Sequence, residues 1–386
     1  MPSGRTSRST ALQSICERSA SRLREPRSVD LDAPAASVDS CAKAIVAVDD
    51  AVAALARERI DNLTKPLGSL GRIESLAVKL SAMAGAIPAR AYTRKAVLVG
   101  AADHGVSLEG VSAYPAEVTL QMIAGFLGGH AAINAFCRSV RADIYIVDFG
   151  TREPRIEDPA LLNFRIGSGT GNLAREPAMT AQQVDAALAA GIAVFEENIW
   201  PHRYDVLAVG EMGISNSTSA SAIVAALTDS PIDSVTGRGT GVDDAGLARK
   251  AAVLRMALAR CRTRDWRTVA REVGGFEIVG LTGVILAAAR RRTAVILDGF
   301  ITSASALLAR EIAPQSQGYF VAAHRSQEPG HRIALAALEL EPLLDLELRL
   351  GEGTGAALAL PLIESATRMI SEMKTFAEAS VATRIT

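Results

Sequence analysis

Short apolar runs at residues 95–100, 144–148, 205–210, 293–298 and 319–323 punctuate the chain, with helical segments between them. Runs of this length suit strands buried on both faces. Strands that alternate with helices of ordinary length give an α/β fold with a doubly wound, mostly parallel sheet. That architecture says where to look for function, because open parallel sheets bind ligands outside the C-terminal ends of their strands. The polar residues that follow each run are therefore the candidates.

The densest group is Leu350-Gly351-Glu352-Gly353-Thr354-Gly355, expected to end a strand and to open a helix at Ala356. Glycine takes positive φ without penalty, so this turn can approach a ligand and leaves Glu352 as its long side chain. A general base would suit the place, its proton affinity raised by apolar neighbours such as Leu350 and lowered by the helix N-terminus. The plainer alternative is that Glu352 only finishes the helix start. A second turn, Glu211-Met212-Gly213-Ile214-Ser215-Asn216-Ser217-Thr218, offers hydroxyls and free N–H groups to a phosphate, or else forms an ordinary Ser/Thr cap.

Asp243 and Asp244 read as caps of the next helix, on which Lys250 could meet a phosphate or simply be solvated. Leu297-Asp298-Gly299 puts an acid on another strand-to-helix turn. Gly167-Ser168-Gly169-Thr170-Gly171-Asn172 lacks the spacing of a dinucleotide fingerprint and reads as a loop. His324 and His331 flank Pro329, which breaks the helix needed to set both imidazoles on one face, so ligand contact or loop hydrogen bonding is expected rather than a metal. His104 could pair with Asp103. No G-x-S-x-G elbow supports a Ser/His/Asp triad.

Lys and Arg number 41 against 42 Asp and Glu, which leaves no electrostatic footprint for nucleic acid or an anionic membrane. Each apolar run meets a charge or Gly before it reaches the length of a membrane span, and none is expected. Cys16, Cys41, Cys137 and Cys261 form no C-x-x-C pair, pointing to a reduced, cytoplasmic setting. Residues 1–40, polar and Arg/Ser-rich at their start, read as a disordered extension; a transit peptide or a start codon placed too early would look the same.

Apolar residues recur at helical spacing from 42 to 63, so one helix is expected there, a second through Met83, and another from about 116 to 137. Ile45-Val46-Ala47-Val48-Asp49-Asp50 imitates the signature of enzymes that bind phosphoribosyl pyrophosphate with magnesium. That signature needs a strand, and the periodicity running on to Ala54 argues against one.

Leu63-Thr64-Lys65-Pro66-Leu67-Gly68-Ser69-Leu70-Gly71, Ala102-Asp103-His104-Gly105-Val106, Gly210-Glu211-Met212-Gly213-Ile214, Gly237-Arg238-Gly239-Thr240-Gly241, Leu297-Asp298-Gly299-Phe300 and the Glu352 turn follow one another in that order. Jointly, over about residues 45–372, the chain resembles the nicotinate-nucleotide:dimethylbenzimidazole phosphoribosyltransferases, which make the lower-ligand nucleotide of cobalamin. The resemblance implies a Rossmann-like catalytic domain over 91–355, and a small helical domain built from 41–90 and part of the C-terminal helices in 356–386. It also implies a homodimer, with no cofactor and no metal. It implies Glu352 as catalytic base, and Glu211, Gly213, Lys250, Asp298, Gly299 and Ser326 at the nucleotide, with Ser215 and Asn216 on the same phosphate turn. Tyr114, Gln121, Met122 and Leu350 are its benzimidazole candidates.

The implied reaction moves the 5-phosphoribosyl group from nicotinate mononucleotide to 5,6-dimethylbenzimidazole, giving alpha-ribazole 5'-phosphate and nicotinate. Transfer to adenine, a phenol or water would use the same pocket. So would a non-catalytic module that binds a benzimidazole or nucleotide.

Overall fold

The computed structural model describes residues 35–382. Most of the expected extension, and Cys16, lie outside the described residues. The chain runs through α1 (Ala35–Lys43), α2 (Asp50–Asp61) and α3 (Arg72–Ala84) into β1 (Lys95–Ala102), then α4 (Val118–Leu127), α5 (Ala132–Val140), β2 (Ala142–Gly150), β3 (Leu161–Asn163), α6 (Ala181–Val194) and β4 (Val206–Met212). Next come α7 (Asn216–Thr228), α8 (Ile232–Val235), α9 (Asp244–Arg260), α10 (Trp266–Val273), α11 (Phe276–Arg290), β5 (Ala294–Leu297), α12 (Phe300–Ile312), β6 (Phe320–Ala322), α13 (Pro329–Ala337), α14 (Thr354–Glu372) and α15 (Phe376–Ala379).

The strands pair in parallel in the order β3-β2-β1-β4-β5-β6. The order reverses between β1 and β4, which opens a crevice beyond their C-terminal ends. All of β1 is buried, as its unbroken apolar run requires. Helices α6 and α11 pack against each other on one face. Helix α14 contacts β4, α5 and α3, and just beyond it Thr375 bridges Leu63 and the Phe376 N–H donates to the Asn62 carbonyl.

Several expected elements differ. Helix α1 begins inside the expected extension and sends Val38 and Cys41 into the core. The single helix over 42–63 is broken: Asp49 accepts the Val52 N–H at 3.0 Å, and this cap starts α2 afresh. Asp49 is therefore a helix cap, Asp50 lies in the first turn, and the run before them is not a strand. The helix over 116–137 is also two, α4 and α5, divided at Gly128-Gly129. Asn134 ties the break, its amide donating to Phe126 O and its oxygen accepting the Ala131 N–H. Residues Val118–Val140 together are long and apolar enough to cross a membrane by length and composition, but this break divides them. Strand β3 was not foreseen.

The strand expected before Glu352 is absent. Residues 343–348 instead hydrogen-bond beside residues 322–327, with one isolated bridge between His324 and Leu344. Glu352 thus reaches the sheet on a returning loop.

Candidate active site

Gly351, Glu352 and Gly353 all have positive φ, at 88°, 63° and 82°. A glutamate in this region costs of order 1–3 kcal/mol, and persists only where its surroundings fix it. Here the Glu352 N–H donates to the Glu211 carbonyl at 3.2 Å, at the end of β4. Asp298, at the end of β5, accepts the Gly353 N–H at 3.0 Å and the Ala356 N–H at 2.9 Å, capping α14. Gly210 makes the approach possible, since a Cβ there would fall 2.5 Å from the Gly353 Cα.

Three carboxylates gather at these strand ends. Burial pushes Glu352 up to about 7. Burial pushes Asp298 up to about 7 as well, against backbone N–H bonds that lower it. Burial, then the charges of Glu277 and Asp298, push Glu211 up to about 8, although the Asn216 amide donates to it. Oε2 of Glu352 has no hydrogen-bond partner among the described residues. Each of these acids holds its proton in the folded chain at a pH where the unfolded chain has lost it. The ligand-free protein is therefore expected to lose stability as pH rises from about 4.5, where these carboxyls ionise in the unfolded chain, through about 8, where the last of them ionises in the folded one. Melting curves should show a falling Tm there, less steep in Glu211→Gln.

The cleft above them is lined by Glu211, Met212, Gly213, Asn216, Ser217, Gly239, Thr240, Gly299, His324, Ser326, Glu328, Arg349, Leu350 and Gly351, among others. Of the sequence candidates it brings together Glu211, Gly213, Asn216, Gly299, Ser326 and Leu350. Glu352, Asp298, Ser215 and Lys250 are buried and are not part of the lining. Ser215 starts α7 with φ 77° and makes no side-chain cap; its buried hydroxyl has no partner among the described residues. The ordinary-cap alternative is thus not realised at Ser215, whose hydroxyl, like that of Thr218, is left without a partner among the described residues, while Asn216 and Ser217 are bonded to Glu211 and Lys250.

Tyr114, Gln121 and Met122 do not line this cleft. Tyr114 and Gln121 are exposed and Met122 is half-buried. Their segment is nonetheless tied to it: Thr119 Oγ1 accepts the Ile214 N–H at 3.1 Å, and Thr240 Oγ1 accepts the Ala113 N–H at 3.1 Å.

His104 does not pair with Asp103. Its Nε2 lies 2.7 Å from Glu277 Oε1 and its Nδ1 3.1 Å from Ser219 Oγ, while Asp103 accepts the Arg152 N–H. His331 Nδ1 accepts the Ser326 N–H at 2.9 Å, so the neutral ring carries its proton on Nε2, next to Ser303 Oγ; burial pulls it down to about 3. His331 thus serves loop hydrogen bonding, while His324 lines the cleft, its Nδ1 without a hydrogen-bond partner among the described residues. Asp243 caps α9 as expected. Glu277 and Glu328 were missed, although a lone carboxylate in the apolar helix α11 was a legible signal for the first.

The phosphoribosyltransferase family model matches residues 45–381. A nicotinate-nucleotide–dimethylbenzimidazole phosphoribosyltransferase of Roseiflexus sp. (strain RS-1) is 50% identical over 340 residues, 88% of this chain and 96% of that protein. One from Ralstonia nicotianae is 48% identical over 343 residues, 87% and 96% of the two chains. A crystal structure of the Thermus thermophilus enzyme of that description superposes with a TM-score of 0.82 at 44% identity, covering 87% of this chain and all of that one. Matched over residues 45–381 in sequence and over 87% of its length in backbone, the chain belongs to the nicotinate-nucleotide–dimethylbenzimidazole phosphoribosyltransferase family.

Proposed function

We propose that the protein transfers the 5-phosphoribosyl group of nicotinate mononucleotide to 5,6-dimethylbenzimidazole, a step of cobalamin biosynthesis, with Glu352 as the base. The observation that carries this is a buried carboxylate, raised to about 7, on a turn held against the cleft. Nicotinate leaves as a pyridine and sheds the positive charge of its ring nitrogen, so its departure needs no general acid. The benzimidazole attacks through one nitrogen, with inversion at the anomeric carbon, and becomes cationic. Its other N–H grows acidic as the bond forms, and the Glu352 carboxylate takes that proton. The anion also stabilises the positive charge developing on the sugar.

The phosphate is assigned to the turn at Ser215, Asn216 and Gly213, backed by Lys250, and the ribose to Gly299 and Ser326. Glu211 faces the same nucleotide, and Asp298 acts by holding the Glu352 turn. Leu350 is assigned to the benzimidazole, with Tyr114, Gln121 and Met122 as outer contacts. Incubation with both substrates should release nicotinate and form alpha-ribazole 5'-phosphate in equal amounts. Binding without release would leave a storage module, and a panel of acceptors separates the alternatives. Because the base works ionised, kcat/KM is expected to rise with pH through about 7 and then level off. A flat profile between pH 5.5 and 8 would remove Glu352 from the role.

A cytoplasmic homodimer completes the proposal, the exposed Leu67, Leu70, Leu108 and Leu346 offering apolar surface to a second copy. Light scattering at the mass of one 40.4 kDa chain would end that part.

A further inference from the structure

Lys250 of α9 is fully buried. An ammonium out of water is costly unless its surroundings answer it. Its Nζ donates to Ser217 Oγ at 2.9 Å and to the Gly237 carbonyl at 3.1 Å. Burial pulls it down to about 8, and the charge that opposes this is that of Glu328.

Glu328, 7% exposed, sits at the N-cap of α13 but does not cap it with its side chain. Its Oε1 accepts the Gly239 N–H at 2.8 Å. Its Oε2 is buried against Gly237 and has no hydrogen-bond partner among the described residues. Residues 237–239 are thus gripped from both sides, the cation on a carbonyl and the carboxylate on an N–H. Gly239 lines the cleft next to Ser217.

We infer that Glu328 is a positioning residue for the nucleotide's phosphate: it holds residues 237–239 against the cleft wall and keeps the lysine behind them charged. The inference rests on the phosphate role proposed for Lys250 and the Ser215 turn. A carboxylate at the rim of a phosphate site would repel the ligand. Here one oxygen is spent on the loop's N–H and the other is enclosed against Gly237, so the charge supports the buried ammonium. Other charged groups stand nearby, and Arg349 lines the same cleft. Arg349 reaches the Gly239 carbonyl at 3.5 Å, Arg238 pairs with Asp244, and Asp243 caps its own helix. Glu211 lines the same cleft, with Asp298 beneath it.

A glutamine at 328 keeps an acceptor for Gly239 and removes the charge, so Lys250 would lose its proton at lower pH. Binding of nicotinate mononucleotide without acceptor is measured by calorimetry across the lysine's titration range. The proteins are wild type, Glu328→Gln, Glu328→Asp and Lys250→Met. Wild-type affinity is expected to fall as pH rises through about 8. In Glu328→Gln that fall should move down by about one pH unit, leaving binding about five-fold weaker at the wild-type midpoint. Glu328→Asp keeps the charge and should keep the wild-type midpoint, even if its shorter side chain weakens binding at every pH.

In Lys250→Met this limb should vanish; any dependence that survives belongs to Glu211 and Asp298 and is subtracted from the others. A Glu328→Gln limb that coincides with wild type, while Lys250→Met still weakens binding, overturns the inference and leaves the phosphate reading standing. Wild-type binding by Lys250→Met refutes the phosphate reading itself.

Discussion

Glu352→Gln is expected to lower kcat by about 10²–10⁴-fold while the protein stays folded and binds nicotinate mononucleotide nearly as before. The substitution is isosteric, and the bonds that hold the turn are made by backbone groups and by Asp298, not by the Glu352 side chain. An amide can still contact the benzimidazole, but cannot take its proton at neutral pH. The limb near pH 7 should disappear with it. Tm should be unchanged or higher near pH 8, because a buried group that must ionise has become neutral. Turnover within a few-fold of wild type, at any pH from 6 to 9, would sink the assignment.

Gly210→Ala is expected to cost about 10²-fold in turnover and about 1–3 kcal/mol in stability, without touching any proposed substrate contact. The added methyl would fall on the backbone of Glu352 and Gly353, and neither backbone can rotate aside as a flexible side chain would. The turn must move outward, away from the Glu211 carbonyl and from Asp298. A displacement of about 1 Å is enough for such a loss. Gly125→Ala is the control, because a Cβ there meets nothing within 4 Å. If Gly210→Ala turns over like wild type, the close packing of turn on strand is irrelevant to catalysis.

The sheet was legible because strands buried on both faces write themselves as unbroken apolar runs. Glu211 and Asp298 were legible because each closes such a run. The breaks at Asp49 and Asn134 were not, since one side chain bonding a backbone N–H outweighed a periodicity that read straight through. The run before Glu352 misled for the opposite reason: its leucines meet residues 322–327 through a few hydrogen bonds and one isolated bridge, too little to make a strand. Glu328 and Lys250 lie far apart in the chain, and only the fold brings them to one glycine loop. Strand β3 is three residues long, too short for any pattern.

Helix α14 begins at the Glu352 turn and, 19 residues later, ends beside the bridge between Leu63 and Thr375. At 1.5 Å per residue it is a rod about 28 Å long, and Pro361 removes one rung of its backbone ladder. The rod that carries the Glu352 turn is therefore braced at its far end by the contact of residues 62–63 with 375–376.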